Sequence, residues 1–171
     1  MWVNISSQQL GRPHLPAIIE QILAATGLAP AKLGLEVTER QLMGSAEAAQ
    51  ADLLDLRDLG LRLAVDDFGT GFNSLGYLRQ FPFDEIKIDQ SFISGLGRDR
   101  TDTAVTTSVI ALGRSLELVV VAEGVETEDQ YQRLQDLGCD LAQGYLLQRP
   151  APPETIDSLL ALEGRSLAPT R

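Results

Sequence analysis

One cysteine, one histidine and one tryptophan are all that this sequence holds of the residues on which much redox, zinc and covalent chemistry depends. The lone Cys139 excludes an internal disulfide, so a reducing, cytoplasmic location is expected, with the thiol acting as a small buried hydrophobe. The lone His14 lies near a helix start, away from any strand end, which argues against a histidine-rich zinc site. No nucleophilic serine or cysteine has a histidine partner nearby, so a covalent triad is disfavoured. Positive charge is scarce too: 14 Lys and Arg stand against 24 Asp and Glu, a formal net charge of -10. Binding along DNA needs the reverse, because basic side chains there displace counterions. No apolar run reaches membrane-spanning length. Residues 1–10 also lack the basic flank and apolar core of a secretory signal, so no membrane contact is expected.

What is present is enough apolar material, 44% of 171 residues, for one globular core. Residues 61–75 organise it: a buried strand stops at Asp66 and Asp67 and then breaks into Gly69 and Gly71. Successive strand residues point to opposite faces, but at a frayed end both carboxylates can turn into one cavity. Around this stretch, short apolar runs alternate with amphipathic ones. Strands are expected at 1–6, 32–39, 61–67, 84–89, 118–124 and 141–147. Helices are expected at 13–26, 45–59, 73–80, 101–116, 127–137 and 153–162. Thr127 and Gln130 have the spacing of a capping box.

Strands alternating with helices imply a parallel sheet covered by helices. An open doubly wound sheet concentrates its site at one switch point, whereas a (β/α) barrel places polar residues at the C-terminal end of nearly every strand. Here Asn4, Glu36, Glu39, Asp66, Asp67, Lys87, Asp89, Glu123 and Gln143 fall at or just past strand ends, and no Gly-rich dinucleotide fingerprint follows any strand. A barrel is therefore the expected architecture. Asn4, Glu36, Asp66 and Glu123 are hard oxygen donors, and Asp67 could bridge to a second ion; the set suits Mg²⁺ or Mn²⁺. Paired hard metals are a recurring device for hydrolysing phosphodiesters. Lys87 would hold the attacking water or a phosphate oxygen, and Glu123 would ligate or accept a proton. Taken singly, a carboxylate at a strand end is more often a helix cap or loop anchor; the ring of them is what points to chemistry.

Several ordered motifs carry a resemblance: Leu35-Glu-Val-Thr-Glu39, Asp66-Asp-Phe-Gly-Thr-Gly71, Ile86-Lys-Ile-Asp-Gln-Ser-Phe92, Val121-Ala-Glu-Gly-Val-Glu-Thr127, and Gln143-Gly-Tyr145 followed by Pro150. Together they resemble the EAL domain family of cyclic di-GMP phosphodiesterases, from Asn4 to the last helix. The resemblance implies a variant (β/α)8 barrel and metal-dependent hydrolysis of cyclic di-GMP to pGpG. It implies that Asn4, Glu36, Asp66, Asp67 and Glu123 hold metal, that Lys87 contacts the catalytic water with Gln143 near it, and that Glu126 lies at the edge of the site. Glu39 would anchor the Asp66–Gly71 loop, which the family uses to couple dimerisation to activity.

The family's Glu-Ala-Leu strand is not in the sequence, and with it go a metal-ligating glutamate and a substrate-contacting arginine. A complete barrel takes about 250 residues, and roughly six of eight βα units are present. The expectation is an incomplete α/β barrel over residues 1–163 with a flexible tail at 164–171. Its open edges should be covered by a second copy, a partner chain or a rearranged terminal segment, and turnover by the isolated chain should be impaired. Two other classes stand beside the phosphodiesterase. One is a non-catalytic EAL remnant that binds cyclic di-GMP or a protein. The other is a lysine-dependent aldolase with Lys87 as Schiff base, against which the carboxylate ring argues.

Overall fold

The computed structural model describes residues 1–10, 12, 14–44, 46–71, 76, 78, 81–156 and 158, and the elements below belong to these. Six parallel strands form a half-barrel in consecutive order: β1 (Trp2–Asn4), β2 (Gly34–Thr38), β3 (Arg62–Phe68), β4 (Glu85–Ile88), β5 (Val119–Ala122) and β6 (Leu141–Ala142). Helices α1 (Leu15–Thr26), α2 (Glu39–Gly44), α3 (Ala46–Asp58), α4 (Gln90–Ser94), α5 (Arg100–Ser115) and α6 (Glu128–Leu137) connect them.

The period-two alternation of the strands sorts the residues into two layers. Leu35, Val37, Leu63, Val65, Ile86, Ile88, Val120 and Ala122 point outward and are almost fully buried in one apolar core with Leu53 and Leu56 of α3 and Val109 and Ile110 of α5. The intervening positions face the concave side and are far more polar. Trp2 lies so close over Gly34 that a Cβ there would sit 2.2 Å from its ring, and the Arg62 guanidinium stacks 4.8 Å from the indole centroid. Arg62 reaches Glu85 at 3.3 Å. This cation–π and ionic column fills the floor beneath the site.

The helices begin and end where local chemistry dictates. Asp99 accepts hydrogen bonds from the Thr101 and Asp102 N–H groups and starts α5. Thr127 and Gln130 form the full capping box that starts α6, and Gly138, with φ of 74°, ends it. Two short helices, α2 and α4, were not expected from periodicity, because five or six residues are too few to show a helical repeat. Strand β6 is shorter than the expected 141–147: beyond Ala142 the backbone turns, the Leu147 and Gln148 N–H groups both bonding to Gly144 O. The expected helix 73–80 lies outside the described residues except for Gly76 and Leu78, which are helical. The last expected helix is seen at 153–156 and 158.

Two positions test this packing. An added Cβ at Gly144 would lie 2.2 Å from Val125 O and 2.3 Å from Val125 N, backbone atoms that cannot rotate away. Gly144→Ala should therefore destabilise the chain by about 1–3 kcal/mol, read from the urea midpoint at unchanged slope. Burial pushes the Cys139 thiol up to about 11, against opposing hydrogen bonds at Leu141 and its neighbours. At pH 7.5 its thiolate fraction should be about 100-fold below that of an unburied cysteine. Iodoacetamide alkylation of the folded chain should accordingly accelerate close to tenfold per pH unit up to about pH 11; a plateau near pH 9 would contradict this.

Candidate active site

Strands β2, β3, β4 and β5 deliver their C-terminal side chains to one place on the concave face. Lys87, on β4 between the outward-facing Ile86 and Ile88, is only 5% exposed. Its Nζ lies 2.8 Å from Glu36 Oε1 and 3.8 Å from Asp66 Oδ1, and it pairs most closely with Glu123 Oε1. Glu36 comes from β2, Asp66 from β3, and Glu123 follows β5, its N–H bonded to Ile88 O. Parallel register is what aligns them: Thr38 pairs with Asp66, and Lys87 with Val121.

Asp67 joins the cluster through a backbone device. It has φ of 53°, the left-handed region that non-glycine residues rarely adopt, and the β3–β4 register shifts between Val65 and Phe68. The turn breaks the strand alternation, so neighbouring carboxylates converge instead of diverging, and Asp66 Oδ1 accepts the Asp67 N–H at 2.9 Å. Carboxylate oxygens of Asp66, Asp67 and Glu123 all lie within 4.8 Å of one another. Three convergent carboxylates, two from adjacent residues, form an all-oxygen set of the kind that holds a hard divalent cation.

Electrostatics follow from this crowding. Burial disfavours the Lys87 ammonium, but hydrogen bonds to Glu123 and Glu36, with the charges of Glu123 and Asp66, outweigh it and raise its pKa. Burial raises the Glu123 pKa; Lys87 pulls it down, and Asp66 and Glu36 push it up again, with a net upward shift. Asp67 is also raised, first by burial, then by Asp66 and Asp89, with Arg40 opposing. One ammonium serves several carboxylates, so it is held charged while they crowd each other.

Above the cluster opens a cavity of about 310 Å³ lined by Asp67, Asp89, Gln90, Glu123, Gly124, Glu126, Gln143, Gly144 and Tyr145. Glu126 and Gln143 therefore sit on its wall, both exposed. Asn4 pairs in register with Glu36 on the same face and is exposed. Glu39 stands apart from the ammonium: 1% exposed, its Oε2 accepts the N–H groups of Gly69 at 3.2 Å and Gly71 at 3.1 Å. A Cβ at Gly71 would lie 2.6 Å from that carboxylate, so the loop needs glycine there. Asp89, read from sequence as loop structure, caps α4 through the Ser91 N–H and also faces the cavity. Gln90 and Tyr145 were not singled out from sequence. A polar residue opening a short helix and an aromatic one after Gln143-Gly144 carry no periodic signal; the Gly124 Cβ position, 2.5 Å from Gln90 Cβ, shows why glycine lies opposite it.

Comparison with known proteins places this geometry. Residues 2–150 match the EAL domain. The chain is 44% identical over 154 residues to the bifunctional diguanylate cyclase/cyclic di-GMP phosphodiesterase MucR of Pseudomonas aeruginosa, covering 90% of this chain and 22% of that protein. Thus it spans about a fifth of that relative's length. Among solved structures, the PaMucR phosphodiesterase in complex with c-di-GMP superposes with a TM-score of 0.87 at 44% identity, over 91% of this chain and 63% of the other. Klebsiella pneumoniae BlrP1 in a manganese/cy-diGMP complex superposes with a TM-score of 0.82 at 34% identity, over 88% and 38%. With its six-stranded half-barrel and its carboxylate cluster at the strand ends, the chain belongs to the EAL domain family.

Proposed function

We propose that this chain carries the hydrolytic face of a cyclic di-GMP phosphodiesterase, and that its carboxylate cluster holds Mg²⁺ or Mn²⁺. The observation that carries the reading is the convergence of Asp66, Asp67 and Glu123 within 4.8 Å beside a buried lysine. Asn4, Glu36, Asp66 and Glu123 would hold one ion, and Asp67 would serve a second. The donor set fits: it is all oxygen, it draws on adjacent strands, and its carboxylates outnumber the one ammonium among them. Bound divalent cations supply Lewis acidity toward a phosphoryl oxygen and lower the pKa of a water.

The chain's own residues supply orientation and proton handling. Lys87 presents an ammonium that could orient the attacking water or hold a phosphate oxygen. Glu123, beside Lys87 with its pKa raised, is placed to accept the water's proton. Gln143 offers an amide at the cavity wall, and Glu126 lies at the cavity's edge. Glu39 fixes the 66–71 loop through Gly69 and Gly71, so a shift of that loop would move Asp66 and Asp67 together.

The open edges support assembly. Among the described residues β1 pairs only with β2 and β6 only with β5, while Val3, Ile18 and Ile22 near one edge and Leu141, Tyr145 and Leu147 near the other are exposed. Unpaired parallel strands flanked by apolar side chains favour a second copy, with the 66–71 loop the element through which assembly would reach the site. Among the described residues no helix is long and apolar enough to cross a membrane, and the lone cysteine agrees with a cytoplasmic setting.

The test is cyclic di-GMP hydrolysis followed by chromatography of pGpG, with Mg²⁺, with Mn²⁺ and with chelator. Product should form only with metal, and Glu123→Gln should lower its rate about 10²–10⁴-fold. Nucleotide binding without product, from folded protein at high concentration, would instead assign the chain to a binding module. Light scattering should return a mass above that of one chain across the micromolar range; a monomer at every concentration would remove the assembly reading.

A further inference from the structure

Lys87 occupies an unusual position for a residue whose role is to meet substrate. Its side chain is only 7% exposed and is not among the residues that line the cavity; the ammonium sits among Glu36, Asp66 and Glu123. Two of these three, Asp66 and Glu123, also belong to the trio whose oxygens converge within 4.8 Å. The same carboxylates thus face the chain's own ammonium and converge in a way that suits a divalent cation.

We propose that Lys87 and a divalent cation are alternative counter-ions for one carboxylate cage, so that metal loading is an exchange in which the lysine ammonium is released from Asp66 and Glu123. The proposal rests on the metal-binding reading above. Buried carboxylates from different strands repel each other and need a counter-charge to stay at the strand ends. Lys87, in contact with Glu36, Asp66 and Glu123, can supply that charge and keep the donors converged. A lysine suits an exchange better than an arginine would: its charge is compact, its four-carbon stem rotates freely, and its donors are not locked in a planar fork. Once released, the ammonium would be free to meet a water or phosphate oxygen. Two consequences follow for affinity and stability. The wild-type chain binds metal more weakly than its donor set alone would allow, and the metal-free fold depends on Lys87.

The experiment compares chelator-stripped wild type, Lys87→Met, Lys87→Arg and Glu123→Gln, each purified with Mn²⁺ before stripping. Calorimetric titration with MnCl₂ alone gives the affinity, and circular dichroism gives the unfolding temperature with and without Mn²⁺. Lys87→Met should bind Mn²⁺ at least tenfold more tightly than wild type. Once stripped it should unfold at a lower temperature, or already be unfolded, and Mn²⁺ should restore it. Lys87→Arg, which keeps the charge, should not gain affinity. Glu123→Gln, which removes one carboxylate but leaves the ammonium, should bind Mn²⁺ at least tenfold more weakly while staying folded when stripped. Equal or weaker Mn²⁺ binding by Lys87→Met, with wild type binding normally, would overturn the exchange and leave the metal reading intact. Failure of Lys87→Met to fold even with Mn²⁺ would also overturn it, assigning Lys87 to packing. Absence of Mn²⁺ binding by wild type and every variant would overturn both.

Discussion

One ammonium among carboxylates from three strand ends is the constraint on which the concave face depends. Lys87 reaches Glu36, Asp66 and Glu123, so β2, β3 and the end of β5 are tied ionically to β4 as well as through their backbone ladders. At an effective dielectric of about 20, each pair near 4 Å is worth roughly 4 kcal/mol of attraction, but desolvation of the charges offsets much of it. The outer face is held differently, by aliphatic side chains buried beneath α3 and α5. Apolar burial is therefore concentrated in the outward layer and charge in the inward one, which stays together only while that charge is balanced. A parallel sheet permits that division because its alternation assigns each residue to one layer or the other.

Asp67 is where the alternation is broken. A regular β3 would send its carboxylate toward the aliphatic layer, where an unpaired charge is untenable. The left-handed backbone at φ of 53° and the register shift before Phe68 turn it into the cavity instead. A conformation of this kind costs about 1–3 kcal/mol and persists only where its surroundings impose it. Two of those surroundings are visible: Asp66 accepts the Asp67 N–H, and Glu39 holds the following loop by two glycine N–H groups. Glu39 is nearly inaccessible to solvent, which makes its contacts with the loop structural ones.

Much of this was legible in the sequence because it rests on spacing. The strand–helix alternation, the inward direction of Lys87 between two isoleucines, the Thr127–Gln130 cap and the ring of polar residues at strand ends all follow from periodicity and position, and each has its counterpart in the structure. Two other features have no periodicity to reveal them. The five-residue α4 is shorter than two helical turns, and the early end of β6 is set by the close approach of Gly144 to the Val125 backbone. Gln90 and Tyr145 reach the cavity only because chain reversals bring them there, a tertiary fact that neither residue's neighbours encode.

Gln130 shows how a local signal can conceal a longer-range one. As a capping-box residue it accounts for the start of α6, where its Oε1 accepts the Glu126 and Thr127 N–H groups at 2.9 and 3.0 Å. Its Nε2 also donates to Ile93 O at 3.0 Å, inside α4, and the whole side chain is buried. The same amide thus joins the segment after β5, which bears Glu123 and Glu126, to the helix that Asp89 caps at the opposite wall of the cavity. A buried amide with both ends satisfied contributes about 1 kcal/mol per bond, and leaving either end unpaired costs more than the bond contributed. The separation of the two walls is therefore fixed by a residue that does not line the cavity. A single sequence can identify Gln130 as a cap, but only the packed half-barrel makes it a spacer between two sides of the site.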